Sequence, residues 1–503
     1  MKILLIYPLY PETFWSFKYA LNFISRKASL PPLGLLTVAG MLPRDWEVRL
    51  VDKNVAPLAD ADLLWADYVF LSAMSIQRAS AEAVIRRCKA RGVKVIAGGP
   101  LFTANPEEFG DVDHLVLNEA EVTLPLFLED LNAGKAQRIY TTTEWADLAA
   151  TPAPRVDLLN MGKYASMNIQ YSRGCPFDCD FCNITVLFGR VPRTKSAGQI
   201  IAELGSLYER GWRNSVFIVD DNFIGHKGKL KKEVLPAIIG WMEEHRHPFT
   251  LYTEVSINLA DDEELMRLMV RAGFDQVFVG IESPNDESLA ECNKLQNRNR
   301  DLITSVRKIQ HAGLEVQAGF IVGFDHDPAA IFDRLTAFIQ ESGIATAMVG
   351  LLNAPKGTKL YHRMKKEGRL TKATTGDNTD FSMNFVPRMS AEALLEGYRT
   401  LLKTIYSPKH YYARVRLFLK AYRPARNRQG LPRFNYIMAG FKSVVRLGII
   451  GRERYQYWKL FFWSLFTRPR LFPTAITLSI YGHHFRRVFA RHEKLLRQGL
   501  ARQ

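Results

Sequence analysis

The sequence predicts an α/β protein in three parts: an N-terminal doubly wound parallel sheet, a partial (β/α)6 barrel, and a mainly helical, basic C-terminal region. Three observations carry this expectation. Short β-rich runs alternate with helix-length segments twice, over residues 1–135 and again over 167–370. Such alternation marks parallel sheets covered by helices. Charge divides the chain: of 67 Lys and Arg, 22 lie in residues 401–503, beside only two acids, Glu453 and Glu493. The remainder holds 45 basic against 49 acidic side chains, so the net +16 belongs to one end. Finally, 47% hydrophobic and 23% charged residues over 503 positions are ordinary for folded domains, with room for two or three of them.

In the first array, Ile3–Tyr7, Val48–Val51, Tyr68–Ser72 and Val93–Ala97 read as buried strands, with Leu33–Leu42 and Ser80–Arg91 as helices. The opening Met1–Tyr7 is too short for a signal peptide and reads as the first strand. Ligands of such sheets bind at the carboxyl ends of the strands. Those ends are Ser72-Ala-Met-Ser75, Gly98-Gly-Pro100 and Asn118-Glu-Ala-Glu121. Gly98 and Gly99 either let a large ligand lie close to the backbone or simply make a tight turn; both readings stand. Residues 136–166 show little periodicity and read as a linker.

The second array runs over 167–370. Strand candidates are Asn168–Ser172, Ser215–Val219, Thr250–Glu254, Gln276–Ile281, Glu315–Val322 and Ala345–Leu351. Helix candidates are Ala197–Arg210, Lys232–His245, Asp262–Ala272, Arg300–Ala312 and Ala329–Glu341. Six units are too few for the eight-stranded closed barrel, so an open one is expected, with chemistry at the carboxyl ends of its strands.

After the first of those strands stands Tyr171-Ser-Arg-Gly-Cys175-Pro-Phe-Asp-Cys179-Asp-Phe-Cys182. Only five cysteines occur in the chain, and three fall within these positions at C-x3-C-x2-C spacing. Thiolates at such density suit a soft metal centre, and an iron–sulfur cube is the natural candidate. Three ligands for four irons leave one iron open. The competing reading, a structural zinc site, lacks a nearby fourth ligand, since the next histidine is His226. Cys88 and Cys292 stand apart in helix-like segments, so no disulfide framework is expected and a reducing, cytoplasmic setting is.

The final region, 371–503, opens with a helix-like Ala391–Tyr406 and continues as the basic tail, which interleaves its charge with aromatics including Tyr411-Tyr412, Tyr455, Tyr457-Trp458, Phe461-Phe-Trp463 and Phe466. Three readings stay open. The tail suits an anionic membrane surface, single-stranded nucleic acid, or a plain helical domain with a solvated basic face. No RNA-module signature is visible, so nucleic acid is the least expected. No run of about 18 uncharged apolar residues occurs, and no transmembrane helix is expected; the expected location is peripheral to the inner face of the membrane.

With its cysteine motif, the aromatic Phe181 before the last cysteine, and the six-unit array, the chain resembles the radical S-adenosylmethionine (SAM) enzymes. Domain order makes it similar to their cobalamin-dependent class B branch. The tail resembles the C-terminal extension of members acting on lipids, such as hopanoid methylases and archaeal lipid cyclases. The resemblance implies that Cys175, Cys179 and Cys182 ligate a [4Fe–4S] cluster whose open iron chelates SAM, and that Phe181 packs near the adenine. It implies SAM contacts from Asp220 and Asp221, although the common Gly-Gly-Glu wording is missing, and from Glu254, Ser256 and Glu282. Gly319-Phe-Ile-Val-Gly323 resembles the motif beside the adenine. Each of these polar groups could instead be a structural hydrogen-bonder at the barrel mouth.

By the same resemblance Ser72, Ser75, Gly98, Gly99, Glu119 and Glu121 enclose the tail of cobalamin. The first domain has no Asp-x-His-x-x-Gly and only His114, which is typical of the class B branch but also compatible with a domain that binds no cobalamin. The implied reaction is methylation of an unactivated carbon of a hydrophobic, lipid-type substrate, with two SAM used per product. An electron donor such as flavodoxin or ferredoxin would start it. The alternative is a radical cyclase or rearrangement enzyme acting on a lipid or tetrapyrrole-like substrate. A non-catalytic cluster or cobalamin sensor, and a tRNA methylthiotransferase, are lesser readings; the latter group shows additional N-terminal cysteines.

Overall fold

The computed structural model describes residues 1–424 and 434–500. The first sheet is six-stranded and parallel: β1 Lys2–Tyr7, β2 Glu47–Asp52, β3 Tyr68–Ser72, β4 Lys94–Gly98, β5 His114–Val116 and β6 Ile139–Tyr140, in the order β2-β1-β3-β4-β5-β6. Its strands read as unbroken apolar runs because both faces are covered. Leu4, Ile6, Val69 and Leu71 enter one core, while Ile3, Leu5, Phe70 and Ile96 enter the other. The helix Leu33–Met41 covers the second face and Arg78–Lys89 the first. Several elements escaped the sequence reading, among them β5, the helices Pro100–Ala104 and Ala120–Asn132, a further short helix and β6. The helix Asp60–Trp65 is short and anchored by Leu63. β6 lies within the residues read as linker and adds to the edge of β5.

The second array gives β7 Met167–Ile169, β8 Ser172–Arg173, β9 Arg193–Thr194, β10 Ser215–Ile218, β11 Thr250–Val255, β12 Phe274–Glu282, β13 Glu315–Val322 and β14 Ala347–Leu351. Six of these form an open parallel barrel in the order β14-β13-β12-β11-β10-β7. The connecting helices are Ala197–Glu209, Leu235–Glu244, Glu263–Ala272, Leu302–Ala312 and Ile331–Ser342. Their ends are specified locally. Ser196 and Gln199 form a reciprocal cap, and the Asp262 and Asp301 carboxylates accept the Leu265 and Thr304 N–H groups.

Two elements differ from expectation. The first barrel strand stops at Ile169, because the buried Asp220 carboxylate accepts the Tyr171 N–H (2.8 Å) and the Ser172 hydroxyl (2.6 Å). That pull turns Ser172–Arg173 out of the barrel to pair antiparallel with β9. The expected helix at Lys232 opens instead as a π-helical turn, Leu230–Val234, just before Pro236, which has no N–H to donate.

The C-terminal region is folded onto the barrel through helices Ala391–Ile405, Pro408–Ala421, Phe434–Ser443, Arg454–Thr467 and Phe472–Leu500. An open barrel leaves edge strands with unpaired backbone groups. On β14 they are met by side chains: Tyr398 donates to the Val349 carbonyl (2.8 Å) and Tyr406 to the Ala347 carbonyl (2.6 Å). The buried Arg414 donates to Gln340 Oε1 (2.6 Å) and to the Ile405 carbonyl (2.9 Å), beside the rings of Tyr406 and Tyr411. The tail aromatics therefore divide. Tyr411, Tyr412 and Tyr457 are core, whereas Tyr455, Phe462 and Phe466 are exposed. Among the described residues no helix is long and apolar enough to cross a membrane.

The segment after β1 joins all three bodies. Phe14 stacks on Phe485 of the last helix (4.2 Å), and the Phe14 carbonyl pairs with His484 Nε2 (2.9 Å). Its neighbour Trp15 lies edge-on to Phe278 of β12 (5.4 Å) and donates its indole N–H to the Met348 sulfur of β14 (3.0 Å).

Candidate active site

The cysteine motif forms a loop closed at its base by the β8–β9 ladder. Gly174 takes φ +91°, and a Cβ there would come within 3.0 Å of the Phe188, Gly189 and Val191 carbonyl oxygens, so the close crossing needs glycine. Inside the loop the Cys175 N–H donates to the Gly189 carbonyl and the Cys182 N–H to the Cys179 carbonyl. Asn222 points its amide at Cys175 Sγ (4.0 Å). Burial raises all three thiols, Cys182 to about 12, and the neighbouring motif cysteines raise Cys179 and Cys182 further. One cation faces them. Burial lowers the Lys294 ammonium, but attraction to Glu282 and then to Cys179 holds it above the usual lysine range. Its Nζ donates to Glu282 Oε1 (2.8 Å). Glu282 itself sits at φ +64°, an uncommon backbone position for a side-chain-bearing residue, fixed by this bond.

Among the described residues no three His, Cys, Asp or Glu side chains converge closely enough for a single metal ion. A cube holds one iron per thiolate and takes its sulfurs further apart. Grouped thiols beside a buried lysine fit an anionic cluster.

Past the carboxyl ends of β10 and β11 lie three acids. Burial pushes Asp220 to about 7, against its hydrogen bonds from Ser172 and Tyr171. Burial likewise raises Asp221 to about 6, although the Gly174 N–H supports its charge. Glu254 is pushed to about 8, by burial and then by the charges of Asp221 and Asp220. Glu254 makes no hydrogen bond or ion pair among the described residues, so the mouth is short of positive charge. An ammonium or sulfonium group such as SAM carries would supply it. Ser256 donates to Asn258 Oδ1 (2.6 Å) and lies beside Asn222. Phe181 packs in one cluster with Ile321 and Phe324, at the end of β13. Thus the structure brings Phe181 and the Gly319–Gly323 motif together, while Asp220 is turned back to hold the first strand.

Glu119 and Glu121 are engaged by the cysteine loop. Arg173 reaches Glu119 (2.9 Å) and Glu121 (2.8 Å), and Arg193 reaches Glu119 (2.8 Å). Both arginines belong to the β8–β9 ladder, so the base of the loop is fastened to the start of the helix Ala120–Asn132. The physical reason is charge: two acids at one helix start are matched by the two arginines of the ladder.

The crevice itself lies at the switch point of the first sheet, where order reverses between β1 and β3. Leu9 and Met74 are exposed on its rim, and the Ser72 and Ser75 hydroxyls make no hydrogen bond among the described residues. An apolar ledge with free hydroxyls fits a large ring bearing polar arms. Gly99 has φ +90° and a Cβ would strike Ser72 Oγ at 2.6 Å; one at Gly98 would strike the Val116 carbonyl at 2.5 Å. Both glycines are thus required by the turn itself.

Known proteins match in the same places. A B12 binding domain matches residues 20–128, the radical SAM superfamily matches 169–339, and a domain of unknown function (DUF4070) matches 358–497. The chain is 34% identical to the hopanoid C-2 methylase of Rhodopseudomonas palustris, over 91% of this chain and 88% of that one. It belongs to the cobalamin-dependent radical SAM enzymes. Its cofactors are a [4Fe–4S] cluster, SAM and cobalamin, and it is a methyltransferase. An uncharacterized methyltransferase of Synechocystis sp. is 43% identical over 100% of this chain and 94% of its own length. The fold is shared with the cobalamin-dependent SAM radical enzyme OxsB, at TM-score 0.63 and 13% identity over 99% of this chain and 81% of that one.

The clamp therefore fastens the cysteine loop, inside the radical SAM match, to the segment that matches the B12 binding domain. Sequence reading missed Lys294, which follows the fourth barrel strand without a local signature. It also missed the partners of Arg173, which stood in view inside the quoted motif.

Proposed function

We propose that this enzyme methylates an unactivated carbon of a hydrophobic, polycyclic lipid-type substrate, at or near an anionic membrane surface. Bound together, the cofactors supply a radical start and a methyl group. The chain's own residues do the rest. Cys175, Cys179 and Cys182 would hold the cluster; Phe181 would pack on the adenine; Asp221, Glu254 and Ser256 would receive the amino and hydroxyl groups of SAM. Ser72 and Ser75 would meet the arms of cobalamin. In this reading the chain divides into 1–135, a linker 136–166, the barrel 167–370 and 371–503, with β6 an addition to the first unit.

The observation that carries the proposal is the clamp from Arg173 and Arg193 to Glu119 and Glu121. In this reading it would hold the two cofactor sites close together, as transfer of a methyl group to a substrate radical requires. The named activity of the R. palustris relative points to the substrate class. The test is reconstitution with iron, sulfide and cobalamin, then incubation with SAM, a flavodoxin-type reductant and a pentacyclic triterpenoid. The expected product has gained one carbon. Oxidative ring closure would lose hydrogen and gain none. Replacing any motif cysteine by Ala should abolish 5′-deoxyadenosine formation; retained cleavage would refute the ligand assignment.

A further inference from the structure

The helix Phe434–Ser443 runs through a π-helical stretch, Val444–Ile450, turns at Gly451, and returns as Arg454–Thr467. The pair is zipped along its inner side. Ser443 and Tyr457 share a hydroxyl hydrogen bond (2.8 Å), and the Trp458 indole donates to the Gly448 carbonyl (3.0 Å). Its outer side is apolar where water should be: Phe441 is 64% exposed, Ile449 60%, Ile450 73%, Tyr455 73% and Phe466 77%. Tyr455, Phe462 and Phe466 follow helical spacing on one stripe, and Phe462 and Phe466 stack (6.3 Å). Isolated apolar side chains on a surface need no explanation, but a set on one rigid hairpin does.

The charges around it select the partner. Arg446, Arg452, Arg454 and Lys459 are exposed on the same hairpin. The one acid between residues 434 and 471 is Glu453, and it is turned inward to Arg486 (2.9 Å). A second copy would bring the same positive charge and be repelled, whereas anionic headgroups are complementary. Beside the hairpin opens a groove of about 570 Å³, lined by Phe23, Phe441, Val445 and Ile450 and rimmed by Lys442 and Arg446.

We propose that this hairpin is the membrane-docking element: Ile449, Ile450 and Tyr455 at its tip, with Phe441, Phe462 and Phe466 behind, enter the acyl boundary of an anionic bilayer while the arginines hold headgroups. The inference deepens the lipid-substrate reading and rests on it for the nature of the partner. The tip residues belong to none of the loops that carry the candidate cofactor-binding residues, so docking and chemistry separate experimentally.

The test is co-sedimentation of the full-length holoenzyme with vesicles of phosphatidylcholine alone or mixed with phosphatidylglycerol. The expected result is binding to the mixed vesicles that weakens with salt. An Ile449→Glu/Ile450→Glu variant should bind about tenfold more weakly or worse, since each buried isoleucine contributes more than that factor's worth of transfer energy. Arg452→Glu/Arg454→Glu should remove the preference for phosphatidylglycerol. In both variants, SAM cleavage in detergent should be unchanged, which reports an intact fold. Equal binding by the tip variant overturns the hairpin inference and leaves the substrate reading, tested by product mass, untouched. No vesicle binding by the wild type overturns it too. So does a tip variant that turns a dimer into a monomer, or one that releases a bound single-stranded oligonucleotide, because the face would then serve that partner.

Discussion

Lys294 shows how one side chain can balance the charge of a whole group of others. Its ammonium is the cation facing Glu282 and the thiol group, in a place with little water. Replacing it by Met leaves Glu282 buried without a counter-charge, which costs about 3 kcal/mol or more. Denaturant titration of the cofactor-free Lys294→Met chain should show that loss, and Lys294→Met/Glu282→Gln should recover part of it. In the loaded enzyme the same change should move the cluster's reduction potential downward, measured by redox titration, because a positive charge that favours the added electron has gone. Glu254 makes a second prediction, in pH. Its carboxyl lies at about 8 in the folded chain against 4.5 unfolded. The folded state therefore keeps a proton that the unfolded state has lost. That contribution is complete below the unfolded value and drains away as pH rises through the folded one. The melting temperature of the cofactor-free chain should fall between about pH 5 and 8.5, and Glu254→Gln should flatten the slope. An unchanged slope would place the proton elsewhere. At this scale the sequence was informative about the thiols, whose spacing is local, and about the strand-end acids. It was silent on Lys294, whose partners come from two other loops, and on the ion pairs of Glu119 and Glu121. Their strand-end position was legible, but their direction depends on Arg173 and Arg193.

At the scale of elements the β8–β9 ladder is the informative piece. It is two residues per strand, too short to be seen as periodicity, and it exists because Asp220 draws the chain out of the barrel after Ile169. The barrel strands and their helices were legible because their apolar runs and caps are local. The end of the first strand was not, since its cause lies on another strand. The ladder carries both clamping arginines, so weakening the clamp should loosen the two proposed cofactor sites from each other without emptying either. In Glu121→Gln one oxygen still accepts from Arg173 and Thr151, but the charge and the second acceptor of the Arg173 fork are lost. The expected outcome is SAM cleavage close to wild type with methylated product reduced about tenfold, since small misplacement of reacting groups costs on that order. Product and 5′-deoxyadenosine quantified in one reaction would read the ratio directly. A parallel fall in both would mean that the clamp supports the cysteine loop alone.

For the whole molecule, the basic tail is part of the barrel's architecture and not an appendage. Tyr398 and Tyr406 satisfy the edge of β14, Arg414 is buried against the end of the barrel, and Phe485 and His484 hold the segment that follows β1. Composition pointed to the charge of this region but not to its inward half, because the same aromatic residues serve core and surface. Deleting it would expose the β14 edge and invite aggregation, so truncation is a poor probe of membrane binding. The junction at Phe14 offers a better one for how the three parts depend on each other. Phe14 is fully buried between the last helix and Tyr406, and Trp15 next to it reaches Phe278 and Met348 on the barrel strands. Phe14→Ala removes a buried ring at a place where first domain, barrel and tail meet. The cavity should cost about 3–5 kcal/mol. If the shared packing makes the three parts unfold together, calorimetry of the wild type gives one transition and Phe14→Ala splits it, with the first domain melting apart from the barrel. A variant that merely shifts a single transition downward would show that the clamp at Glu119 and Glu121 suffices to couple the domains, and that the Phe14 junction contributes stability without unity.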